Sequence, residues 1–321
     1  MVECSDPLFD LEHLTALAGE CINKVGMNEL ECPHRRAVVG AFKGAFLIAD
    51  AVLRLHPKSC YYVDRGPQVW NPFALQAFVR VIMEAAVNVH YFADDLVTED
   101  ERKFRTIIAT LHYLREREDT AKSLEASRAA KPPVPNDWTG IPREEHFGLF
   151  AQMQRELIPK QIAYWEDELT KNPHFQRLPN SEQEKWLEGK GLFHKRTGRY
   201  IGGSSRFDAG FALKLDERAK RAGVSGPRYE ALRRQFSTYV HTAPHALDQT
   251  VWFRSFDWVA MQSQIGVPIV VCVAYLALAI KWFLKSSPEY GDVLDASKAE
   301  LLGRGLSYFN AVSPQSGGEQ P

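Results

Sequence analysis

Along nearly the whole chain, apolar residues recur at the three- and four-residue intervals of amphipathic helices. The strict alternation that marks half-buried strands is scarce. A first helix is predicted near Leu8 to Lys24. Pro33 suits the first position of a second helix, where its missing N–H would have no partner anyway. The apolar face of that helix reads Val38, Phe42, Ala45, Ala49 and Val52, with Leu55 near its end and Pro57 as its stop. A loop through Tyr61, Gly66 and Pro67 leads to a third helix from Pro72 to about Asp94. Thr98 and Glu101 then form a Thr-x-x-Glu capping box that opens a long charged helix. Its buried stripe is Phe104, Ile107, Ile108, Leu111 and Leu114.

The prolines of Lys131-Pro-Pro-Val-Pro135 remove donors and forbid helix, which makes 131–142 the clearest linker. Helical pattern resumes over Arg143–Thr170, with Pro159 as a kink, and again in a short helix that Ser181 and Glu184 would cap and Gly189 would end. A basic, glycine-rich loop follows. Further helices are predicted over Phe207–Arg221 and Tyr229–His241, separated by a stop at Gly223–Pro227. Another, starting near Pro244, carries Trp252, Phe256 and Val259, and a terminal helix spans 292–312. The tail 313–321 is Gly, Ser, Gln and Pro, a composition that does not support order. The most apolar helices lie on both sides of the linker. The fold expected is therefore all-α, a multi-helix bundle with one large core over 1–312, in which 33–130 supply N-terminal helices and 143–285 C-terminal ones.

Ile265 to Ile280 is sixteen residues without a charge, short of the roughly 18–20 that a spanning helix needs. With Gly266 and Pro268 at its start, it reads as a central core helix rather than a membrane segment. Composition agrees with a globular chain: 321 residues, 45% hydrophobic and 25% charged. The formal net charge of -1 gives no global field toward nucleic acid or acidic membrane, so any such contact needs a local basic patch. Five scattered cysteines (Cys4, Cys21, Cys32, Cys60 and Cys272) without C-x-x-C spacing argue against a zinc ribbon or disulfide framework and fit a reducing compartment. Acidic residues stand in Met1–Asp10 where a signal peptide would carry basic ones, and cytoplasmic placement is expected.

Two rows of polar residues carry candidate chemistry. Arg80, Glu84 and Asn88 recur at i, i+4 and i+8 with Tyr91 on the same face of an otherwise apolar helix. They form either the solvated edge of that helix or a polar seam inside the bundle, where each group must find a partner. In the second row, Ser237 and His241 are four apart on one helix, with Arg234 one turn before Ser237. A serine–histidine pair also needs an orienting acid and an oxyanion site, which the sequence does not supply. His241 and His245 have metal-ligand spacing, but Pro244 starts a new helix between them, so no metal site and no cofactor is expected. The loop residues Lys190, Lys195, Arg196, Arg199 and Arg206, with Phe193 and Tyr200 interleaved, suit RNA phosphate or plain solvation. Walker, G-x-G-x-x-G, H-E-x-x-H and G-x-S-x-G signatures are absent.

The Arg80-x-x-x-Glu84-x-x-x-Asn88 helix with Tyr91, followed by Tyr229, Ser237 and His241, resembles the prokaryotic helical family known as domain of unknown function 5677 over roughly Phe73–Lys285. The resemblance implies that the two helices face each other, bringing Arg80 or Glu84 toward His241. It supplies no activity and suggests an interaction or accessory role, in stress or phage defence. The basic insertion at 190–206 departs from that pattern. Arg234 and His241, separated by six residues, also resemble the Arg-x(4–6)-His motif of HEPN-domain ribonucleases, although Gln235 stands where those proteins usually carry Asn. That likeness implies phosphate stabilisation by Arg234, acid–base work by His241, and a site assembled in a homodimer.

Overall fold

Proline and short polar side chains set the helix starts in the computed structural model, which describes residues 6–26, 30–56, 58–61, 72–129, 143–187, 211, 213–240 and 265–312. Helix α1 (Pro7–Lys24) begins where Asp6 Oδ1 accepts the Leu8 N–H at 3.0 Å. Helix α2 (Pro33–Leu55) has proline at its first position and ends before Pro57, and α3 (Pro72–Ala93) also opens on proline. Helix α4 (Glu99–Ala129) starts at the expected box, with the Glu101 N–H donating to Thr98 Oγ1 at 3.2 Å. Then come α5 (Arg143–Lys171), α6 (Pro173–Gln176), α7 (Asn180–Leu187), α8 (Leu215–Arg221), α9 (Pro227–Val240), α10 (Val267–Ser286), a 3₁₀ turn (Pro288–Val293) and α11 (Ala296–Val312). No described residue lies in a strand. The protein is all-α, as expected.

The described helices divide into two compact units, 1–95 with 215–321, and 96–214. The proline-rich segment is not the boundary, because α4 before it and α5 after it pack together in the second unit. That segment (131–142), the basic loop, His241, the helix expected from Pro244 and the tail lie outside the described residues.

In the first unit α10 is the axis. Val271 to Ile280 are buried without a break, under α1, α2, α3 and α11. Aromatic rings carry the packing outward: Phe42 stacks on Phe283 at 4.2 Å, Phe283 on Tyr290 at 5.7 Å, and Tyr275 meets Phe309 edge-on at 5.8 Å. Helix α11 approaches through Gly305, where a Cβ would stand 2.7 Å from Ala277 Cβ and 3.0 Å from Leu14 Cδ1. Asp10, with no exposed surface, is paired with Arg304 at 3.1 Å, so one buried charge is matched across α1 and α11. Burial pushes the Cys21 thiol up to about 11 and the Cys272 thiol further still, which makes both packing groups rather than nucleophiles.

The second unit is built on the predicted stripe. Phe104, Ile107, Ile108 and Leu111 of α4 bury against Leu169 and Phe175, with Trp165 and Trp186 over them. Arg105, 1% exposed, is held by Glu101 at 2.6 Å. Arg115 donates to the carbonyls of Trp186 at 3.1 Å and Leu187 at 2.9 Å, which satisfies the open end of α7. Two expectations need correction here and in α8. Helix α7 begins at Asn180, so Ser181 lies inside its first turn and is not its cap. Helix α8 starts at Leu215, and Phe211, Leu213 and Lys214 are not helical.

Candidate functional site

Helix α3 is apolar on most of its surface, with Leu75, Val79, Ile82, Met83, Ala86, Val87, Val89 and Phe92 buried. It packs on α2 and α10, and also on α8 and α9. The row Arg80, Glu84 and Asn88 runs along the side that meets α8 and α9, since its partners come from those two helices. Arg80 Nε donates to Glu84 Oε1 at 2.7 Å and its Nη2 reaches the same oxygen at 2.6 Å. Its Nη1 donates to Ser237 Oγ of α9. The Arg80 and Glu84 side chains keep 12% and 22% of their surface, so the pair is largely withdrawn from water.

One turn further along, Asn88 Oδ1 accepts from Nη1 of Arg218 on α8. Arg218 is buried, with its guanidinium 5.8 Å from the centre of the Tyr91 ring, near the limit for a cation–π contact. From α9 comes Tyr229, 1% exposed, whose hydroxyl has no hydrogen-bond partner among the described residues. Burial pushes its phenol well above the ordinary range, and the charge of Glu84 adds to that while Arg233 opposes it. Tyr229 is therefore a neutral hydroxyl at physiological pH. Arg233, half-buried, holds Glu230 at 3.0 Å and Asp216 at 3.6 Å and thereby ties α9 to α8.

The local sequence explains this arrangement. Helix α8 ends at Gly223, whose φ of 69° carries the turn, with the Val224 N–H returning to the Ala219 carbonyl at 3.0 Å. Gly226, at φ 154°, and Pro227 then start α9. Its side toward α3 carries Tyr229, Phe236 and Ser237, and its outer side carries Arg228, Ala231, Arg234 and Gln235.

Of the residues singled out in sequence, Arg80, Glu84 and Ser237 come together, and Asn88 joins Arg218 one turn away. Arg234 is on the exposed side of the same helix and takes no part in the seam. His241 and the basic loop Lys190–Arg206 fall outside the described residues. Sequence reasoning missed Arg218. Its signal was its place on the Leu215–Ala219 face, the face α8 buries. Among the described residues no group of three His, Cys, Asp or Glu side chains could hold a metal ion.

Chemically, the Arg80–Glu84–Ser237 contact is closed on itself, while the Tyr229 hydroxyl beside it has no hydrogen-bond partner among the described residues. Three of the Arg80 donor atoms face Glu84 and Ser237, and Ser237 Oγ accepts from a cation, which lowers its electron density as a nucleophile. No family model matches the sequence, and the chain has no match among the curated proteins or the solved structures compared with it.

Proposed function

We propose that the chain is an interaction or accessory protein in which the α3–α8–α9 seam fixes α9 as a rigid platform for a partner. The observation that carries this reading is the Arg80 guanidinium shared between Glu84 and Ser237. A charge-assisted bond between helices pins their register, because sliding by one turn would take the Ser237 acceptor away from the Arg80 Nη1 donor, which is largely withdrawn from water. The apolar helix α10 belongs to this reading as the core of a cytoplasmic protein. It is long and apolar enough to cross a membrane by length and composition, yet 83% of its apolar window is buried by other helices. Detergent-free fractionation tests that part: the protein should stay in the high-speed supernatant, and sedimentation with membranes until detergent is added would refute it.

One observation favours a second reading. Arg234 is exposed on α9 less than two turns before the helix ends at Val240, and His241 is the next residue in sequence. In a HEPN-like ribonuclease, Arg234 would stabilise phosphate charge and His241 would act as acid–base, with the RNA 2′-hydroxyl as nucleophile and a homodimer completing the site. Incubation of purified protein with labelled RNA separates the two readings. The interaction reading predicts intact RNA. Cleavage that His241→Ala abolishes, in a protein of unchanged far-UV circular dichroism, would overturn it in favour of the ribonuclease.

A further inference from the structure

We infer that the outer face of the α8–α9 pair is a docking surface for the phosphate backbone of single-stranded nucleic acid, a proposal that rests on the reading of the chain as an interaction protein and names its partner. The face exists because α9 buries its other side. Tyr229, Phe236 and Ser237 turn toward α3, which leaves Pro227, Arg228, Ala231, Arg234 and Gln235 outward at i, i+1, i+4, i+7 and i+8. Two arginines thus stand on one stripe with only alanine between them. Six residues apart, they are separated by about 9 Å along the axis at roughly 1.5 Å per residue.

The charge on this face is not self-neutralised. Between Leu215 and Val240 there are six Lys and Arg against three Asp and Glu. Arg233, half-buried, engages two of those acids, Asp216 and Glu230. Lys220, Arg228 and Arg234, all exposed, have no ion-pair partner among the described residues, and Glu217 is the remaining acid on the pair. An ordinary solvated helix surface mixes both signs in i,i+4 pairs, as α4 does with Glu118 and Lys122. Here Arg233 takes up Asp216 and Glu230, and Lys220, Arg228 and Arg234 are left exposed without an ion pair among the described residues. The sequence continues the bias: from Lys190 to Arg234 twelve Lys and Arg stand against four Asp and Glu, in a chain of net charge -1.

The same face is a poor lipid surface. An interfacial helix buries Leu, Phe or Trp in the acyl boundary beneath its basic residues. None of the exposed large apolar side chains of the described residues falls on α8 or α9, and the apolar side of α9 is occupied by α3. Phosphate oxygens suit the face better, since each arginine presents a planar fork of donors.

The test uses the full chain and a fluorescein-labelled single-stranded RNA of mixed sequence, about 20 nucleotides long, longer than the site of a small binding domain. Fluorescence anisotropy is read between about 50 and 200 mM KCl, because phosphate contacts release counterions. Lys220→Glu/Arg228→Glu should weaken binding at least about tenfold and reduce the slope of log K against log salt by about 1.4, at about 0.7 per contact on a single strand. Lys43→Glu/Lys160→Glu alters the net charge equally at two other exposed positions and should leave binding within about twofold. Equal weakening by both double variants would overturn the proposal, as would the absence of wild-type binding. Binding to phosphatidylserine vesicles with none to RNA would also overturn it. A DNA strand of the same sequence reads whether the 2′-hydroxyl matters, and comparable affinity is expected from backbone recognition. Gel analysis of the same RNA keeps the two claims apart. Bound RNA cut in a His241-dependent way sinks the accessory reading and leaves the docking face standing; uncut and unbound RNA does the reverse.

Discussion

Truncating Arg80 to alanine is the perturbation from which the seam makes its sharpest claim. Arg80 bonds a carboxylate on its own helix and a hydroxyl on α9, with 12% of its side chain exposed. Breaking a fully buried ion pair by removing one partner costs about 3–5 kcal/mol. Glu84 keeps 22% of its surface, so water recovers part of that loss, and the expected destabilisation of Arg80→Ala is about 2–3 kcal/mol. Ser237→Ala removes one acceptor from a guanidinium that still has Glu84, and about 1 kcal/mol is expected. If the bond between them exists, the losses do not add: the double variant should be about 1 kcal/mol more stable than the sum of the singles implies. Urea denaturation followed by far-UV circular dichroism measures all four corners of the cycle. Additivity within about 0.3–0.5 kcal/mol would mean that the two groups do not touch, and an Arg80→Ala loss below about 0.5 kcal/mol would put the row at the solvated surface of the helix.

Other consequences follow from the same packing. Gly305→Ala gains helix propensity of up to about 1 kcal/mol, but its Cβ would stand 2.7 Å from Ala277 Cβ, so overpacking of about 1–3 kcal/mol dominates. The variant should melt lower, and Ala277→Gly in the same chain should restore part of the loss; no change on Gly305→Ala would contradict the close approach of α11 to α10. His56 is buried, and burial, aided by Lys58, holds its folded pKa below the ordinary 6.5. Because the unfolded chain then binds the extra proton first, stability present above pH 6.5 should decline as pH falls through and below that value. His56→Gln should flatten that decline in pH-dependent melts, and an unchanged slope would remove His56 as its source.

How far the sequence reached depends on whether a feature is local. The stripe Phe104, Ile107, Ile108, Leu111 and Leu114 was legible because helical periodicity fixes which residues share a face, and all five are buried. The start at Thr98 was legible because a capping box is a contact between near neighbours. Helix α6 was missed although its signal is local: Asn172 precedes Pro173, and Asn172 Oδ1 accepts from the N–H groups of His174 at 2.9 Å and Phe175 at 3.0 Å. The division into two units was not legible, because its junctions, after Asp95 and before Leu215, carry none of the consecutive prolines that draw the eye to 131–142.

For the candidate site, helical spacing put Arg80, Glu84 and Asn88 on one face, but it did not decide between solvent and seam. That choice belongs to tertiary contacts such as Arg80 with Ser237, 157 residues apart, and Asn88 with Arg218, 130 apart. Arg218 itself looked like one more charge on a charged helix, and burial beside Tyr91 is what distinguishes it.

Amide hydrogen exchange in the intact protein tests most directly whether Arg80 is what holds α9 in place. In Arg80→Ala, protection should fall across Pro227–Val240, the helix that loses its tether, while the amides of Phe104–Leu114 in the other unit keep theirs. Unchanged protection over Pro227–Val240 would contradict the account.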